Sequence, residues 1–189
     1  MCFYLTSTLP KGTNLEQLRD IFDRFNMDFS PIQNPSVQSQ LRPGELYFRT
    51  TKDYCDCDTI IGALDSSEAY KKLLHSDKVR RLKKKKWNPE QIDEWIKEKL
   101  PIRNPKLNKL TPLERKNKIQ RWIDFIHSIL ESKQVKRIGI LKHWYDKGLE
   151  NEDFNIKQKK IVKVNELNED LLLNMEEGVL YEFIPIYKY

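Results

Sequence analysis

The sequence predicts an α+β protein: an antiparallel sheet with helices packed on one face, in the ferredoxin-like (split βαβ) layout with an inserted helical segment. Three observations lead there. Runs rich in β-branched and aromatic residues recur at residues 3–9, 45–51, 137–145 and 179–186. Apolar residues at helical spacing fill the stretch after the first run and much of the span between the second and third. The resulting order, strand, helix, strand, strand, helices, strand, is β-α-β-β-α-β with a further strand pair at the end. A chain of 189 residues supports one substantial core, so residues 1–189 read as a single domain with a helical insertion at about 66–132.

The first strand, residues 3–9, ends at the turn residues Pro10, Lys11 and Gly12. Thr13 and Glu16 then have capping-box spacing, and Leu15, Leu18, Ile21, Phe22 and Phe25 make the apolar side of a helix reaching about Asn26. Residues 27–33 read as a short strand that Asn34-Pro35 breaks, and Arg42-Pro43-Gly44 turns the chain into strand three. Residues 51–58, polar and irregular, form a loop. A helix is expected from Ser66 to about Lys86, divisible at His75-Ser76-Asp77. Asn88, Pro89 and Gln91 mark the start of the next helix, which is expected to stop before Pro101. Thr111, Pro112 and Glu114 repeat the capping box, and Ile119, Trp122, Ile123, Ile126, Ile129 and Leu130 give the clearest apolar stripe in the chain. Strand-like residues follow at 137–145, 161–164 and 179–186, with a short helix at about 169–175.

No run of about 18 uncharged apolar residues exists, and the N-terminus lacks the layout of a secretion signal, so no membrane span and a cytoplasmic location are expected. Three cysteines, an odd number, point to reduced thiols or a metal site rather than a disulfide framework. The formal charge of +6 is compatible with a polyanionic partner. With six glycines, no Gly-rich phosphate loop, no Gly-x-Ser-x-Gly elbow and no His-Glu-x-x-His helix, the chain has no nucleotide-cofactor motif and none of the common hydrolase signatures.

The cysteines are the most informative residues. In a split βαβ sheet the start of strand one, the end of strand three and the end of strand four share one rim. Cys2, Cys55, Cys57 and His143 would therefore converge, although they are far apart in sequence. Three thiolates and an imidazole are the N/S set that zinc prefers, and the one-residue spacer of Cys55-Asp56-Cys57 is tighter than the usual zinc pattern. The same four residues also suit thiol catalysis, with Cys2 as nucleophile, Cys55 or Cys57 as resolving thiol and His143 as general base. Removal of Met1 would leave Cys2 with a free α-amine beside its thiol. The opening Met1-Cys2 resembles that of N-terminal-nucleophile glutamine amidotransferases and of abasic-site crosslinking proteins. Both families continue with Gly where this chain has Phe3, and no site residue is carried over from them. Plain packing also accounts for buried cysteines, and Asp53, Asp56 and Asp58 offer carboxylates to a hard cation such as magnesium.

The strongest charge asymmetry lies between Lys71 and Lys86, where nine basic residues face only Asp77. Arg80, Arg81, Lys83, Lys84, Lys85 and Lys86, followed by Trp87, can meet phosphates and stack a base; a solvated helix face explains the same run. The first functional reading is a binding or regulatory module for an anionic partner, a nucleotide or nucleic acid, using this basic helix and a sheet-edge cleft near the cysteines. The alternatives are a small thiol-dependent enzyme and a structural zinc-binding interaction domain.

Overall fold

The opening run of β-branched and aromatic residues becomes one of the two central strands of the sheet. A computed structural model describes residues 2–53, 55–62, 70–71, 73–103 and 109–186. In it β1 (Cys2–Leu9) lies between β3 (Leu46–Thr51) and β4 (Ile138–Tyr145), antiparallel to both. β2 (Met27–Pro31) pairs outside β3, and β6 (Val179–Ile184) and β5 (Gln158–Lys163) continue beyond β4, giving the order β2-β3-β1-β4-β6-β5. The β2-β3-β1-β4 part has the order and strand directions of the split βαβ layout. The last pair departs from the antiparallel rule: β5 runs parallel to β6, because the connection between them carries a helix that brings the chain back to the same end.

Side chains alternate along each strand, so each face of the sheet meets its own cover. One face packs Leu5, Leu9, Phe48, Ile138, Ile140, Tyr181 and Phe183 against Phe22 of α1 (Arg19–Arg24), against α5 (Pro112–Glu131), and against Leu172 of α6 (Glu169–Leu173). The stripe seen in the sequence is the buried one, since Ile119, Trp122, Phe125, Ile126, Ile129 and Leu130 of α5 all enter this core. Phe125 gathers the rings of Phe25, Phe29 and Trp122 around it at 5.7–6.0 Å. The other face is covered as well. There Ile32, Val37, Leu41, Tyr47, Leu141 and Leu180 meet Leu149, Phe154 and Ile156 of an irregular segment.

Local chemistry explains where elements begin. α5 has the capping box expected at Thr111 and Glu114, each side chain taking the other's backbone N–H. α4 (Pro89–Arg103) starts in the same way, with Asn88 and Gln91 exchanging side-chain to backbone bonds of 2.8 and 3.0 Å. It does not stop before Pro101: the helix continues through it to Arg103, with the cost of the lost backbone donor and of the ring against the preceding turn confined to its last residues. The box expected at Thr13 and Glu16 does not form. Thr13 donates to the Pro10 carbonyl at 2.7 Å and Glu16 is held by Arg19, so a short 3-10 turn precedes α1. Asn34-Pro35, expected only to break a strand, caps α2 (Pro35–Gln38), with Asn34 accepting from the Val37 N–H at 3.0 Å.

The basic helix divides where expected. Ser76 accepts from the Val79 N–H and starts α3 (Asp77–Lys84), while the expected start at residues 66–69, together with Lys72, lies outside the described residues. α3 and α4 enclose a small cluster of their own, Leu73, Val79, Ile92 and Ile96. No described helix is long and apolar enough to cross a membrane.

Candidate metal centre

β1 is longer than its partner on one side, and this builds the site. The β1–β3 ladder ends at the Thr6–Arg49 pair, so the N–H groups of Leu5 and Phe3 have no β3 partner. The returning loop supplies side chains instead. The Leu5 N–H donates to Asp56 Oδ2 at 2.7 Å, and the Phe3 N–H donates to Cys57 Sγ at 3.2 Å. Thr51 completes the arrangement by donating its hydroxyl to Asp56 Oδ1 at 2.8 Å. The Asp56 main-chain carbonyl accepts from both the N–H and the hydroxyl of Thr59 at 3.0 and 2.9 Å, and Thr59 Oγ1 accepts in turn from the Gly62 N–H. Residues 55–62 are thereby pinned to the end of β1.

The consequence is a cluster of three sulfurs. Sγ of Cys2, Cys55 and Cys57 all lie within 4.8 Å of one another, Cys57 buried and the other two half-buried. Phe3 and Trp144, edge to face at 4.9 Å between ring centres, wall the sulfurs on the apolar side. A tetrahedral zinc site with bonds of about 2.3 Å separates its sulfurs by about 3.8 Å, so the group is within about an ångström of closing round an ion. Three soft donors with no disulfide between them can bind a metal.

Burial and hydrogen bonding together set the acid–base chemistry here. A hydrogen bond to Cys2 and burial together push the Cys57 thiol far above the ordinary range, and burial also raises that of Cys55. Asp56, wholly buried, is pushed up to about 6 by loss of solvent and further by Asp53, against the hydrogen bonds from Leu5 and Thr51 and the charge of Arg49.

His143 does not join the sulfurs. It pairs with Tyr4, two residues in from the Cys2–Tyr145 pair at the rim, where the sulfurs meet without it, and it lies on the face that Tyr47 and Leu141 line. There its ring stacks on Phe154 at 3.5 Å between centres, meets Tyr145 edge to face, and has Glu177 at 3.6 Å. A carboxylate cluster for a hard cation does not form among the described residues. Asp56 is committed to the backbone of β1, Asp53 is exposed, and the Asp58 side chain lies outside the described set, as does Met1.

The basic residues lie apart from the cysteines. Arg80 is paired with Asp77 at 2.7 Å, and Lys78 sits over the ring of Trp95. Arg81, Lys84, Lys85 and Lys86 are exposed, while Lys83 and Trp87 border a hollow that also contains Glu90 and Asp93. Composition alone did not reveal Asp56, because nothing in a polar loop says that its carboxylate will replace a missing strand. Nor did it reveal a cleft with Cys55 in its wall, whose cations Lys118 and Arg121 sit in an unremarkable mixed-charge helix. Compared with protein-family models, with curated proteins and with solved structures, the chain matches none, so the cluster is understood from its own geometry.

Proposed function

We propose that this protein binds a soft metal ion, zinc first among them, through Cys2, Cys55 and Cys57. The convergence of the three sulfurs within 4.8 Å, from the two ends of a loop-and-strand arrangement pinned by backbone bonds, carries this reading. Three thiolates leave one position of a tetrahedron for water or an anionic group, the pattern of a working rather than a closed structural site. A metal also answers the electrostatics, since a cation displaces thiol protons that burial otherwise retains.

Thiol catalysis has less support. The resolving thiols, Cys55 and Cys57, are held protonated, and the general base, His143, stacks on Phe154 and does not join the sulfurs. Cobalt(II) substitution tests the metal reading. One ion per chain is expected, with sulfur-to-cobalt charge-transfer absorption and the strong visible bands of a tetrahedral thiolate site, displaced by zinc. Cys57→Ser is expected to weaken binding at least ~100-fold. A stoichiometry near zero, or a Cys57→Ser protein that binds cobalt as well as the parent does, would refute the assignment.

A further inference from the structure

Beside the sulfurs, the turn after α1, β2, the end of β3 and α5 enclose a cleft of about 550 Å³ that shares only Cys55 with the metal reading. This is the size of a small-molecule site. Among the described residues its polar wall is one-sided: Lys52, Lys118 and Arg121 line it, against the single carboxylate of Asp53. Among the described residues Lys118 and Arg121 form no ion pair, and the only pairing of Lys52, with Asp23 at 3.8 Å, is between two exposed groups and is weak. Its apolar lining includes Met27, Ile60 and Leu110, and half-buried Phe25 supplies aromatic surface.

We propose that this cleft binds a small phosphate monoester carrying a flat ring, a ligand of nucleoside monophosphate size, with the phosphate on Lys118 and Arg121 and the ring against Phe25. Charge selects the class. Three cations and one carboxylate leave two positive charges, and a phosphate monoester carries about −1.5 to −2 at neutral pH. Arg121 offers a planar fork that takes two phosphate oxygens at once, and Lys118 adds a compact charge one helical turn away. Aromatic surface accepts any flat ring without reading its edge, so the site favours the class and tolerates several bases. The proposal goes beyond the metal reading and does not need an ion at the sulfurs.

Calorimetric titration with adenosine 5′-monophosphate tests it, with adenosine and inorganic phosphate as separate arms. The monophosphate is expected to bind with a Kd of about 10–100 µM, and each of its halves at least ~10-fold more weakly. The double variant Lys118→Glu/Arg121→Glu, whose side chains are exposed and whose folding is checked by circular dichroism, is expected to lose at least ~20-fold in affinity. The variant Lys84→Glu/Lys85→Glu, on the separate basic helix, is expected to bind as the parent does. Zinc-loaded and chelator-treated proteins should give the same Kd within about threefold, so a failed metal site and a failed cleft are told apart. The proposal is overturned by no heat at millimolar monophosphate, by equal affinity for adenosine, by loss of binding in the α3 variant instead of the cleft variant, or by binding confined to the zinc-loaded protein.

Discussion

In the metal-free protein, Asp56→Asn is expected to be more stable than the parent at pH 7 and equally stable near pH 4. Asp56 is fully buried, and its folded-state pKa of about 6 stands above the ordinary carboxylate value of 3.8. A raised pKa means that the fold prefers the protonated form. Its contribution is therefore complete below about pH 4 and is lost as the pH rises through about 6. At ~1.4 kcal/mol per pH unit, the loss amounts to about 3 kcal/mol at pH 7. Asparagine keeps an oxygen for the Leu5 N–H and a donor for Thr51 without the charge, so its urea midpoint should be flat across this window where the parent's falls. Alanine separates the hydrogen bonds from the charge. At pH 4.5, where the parent carboxyl is protonated, Asp56→Ala should be less stable by ~2–4 kcal/mol, because the Leu5 N–H and the Thr51 hydroxyl are left buried without a partner. Asp53 and Arg49 act on this group with opposite signs, so charge-neutral variants of either shift the window without removing it. A parent midpoint that does not move between pH 4 and 7 would contradict the argument.

The same carboxylate marks the boundary between what could be read in the residues and what needed coordinates. The strand runs and the capping signals depend on neighbours within a few positions, and β1, β3, β4 and α5 appear where those signals place them. The meeting of Cys2 with Cys55 and Cys57 also followed, because strand order alone puts three chain segments at one rim. The position of His143 along its strand did not follow. His143 pairs with Tyr4 and it is Tyr145 that pairs with Cys2, a register set by hydrogen bonds across the sheet, so His143 stands two residues in from the rim. The role of Asp56 is longer in range still. It depends on the β1–β3 ladder ending at Thr6 and Arg49 while β1 continues, so that Leu5 meets a side chain 51 residues away, which no local pattern in the Cys-Asp-Cys segment encodes. Asn34-Pro35 is a different kind of miss. It carries the same signature as Asn88-Pro89, and only the brevity of the four-residue helix it starts hid it.

Gly62→Ala is expected to be the most damaging single methyl that can be added to this protein near its sulfurs. A Cβ at residue 62 would stand 2.1 Å from the Asp56 carbonyl oxygen, 2.7 Å from the Asp56 Cβ and 2.8 Å from its carbonyl carbon. These are backbone and near-backbone atoms, which cannot swing aside as a long side chain does, so the 56–62 turn itself must open. The same carbonyl accepts from Thr59 twice, and the displacement breaks those bonds and moves the residues that present Cys57 and Asp56 to β1. Overpacking of a closed site costs about 1–3 kcal/mol, and each lost buried hydrogen bond adds about 1. A total of ~3 kcal/mol or more should appear as a lower urea midpoint, together with at least ~100-fold weaker cobalt binding. Gly148→Ala separates this from a general glycine effect. Gly148 has a φ of +88° and nothing within 4 Å of the added carbon, so only the backbone penalty of about 1 kcal/mol applies, and cobalt binding should be unchanged. If the Gly62 variant binds cobalt as tightly as the Gly148 variant, the turn at residue 62 does not position the cysteines.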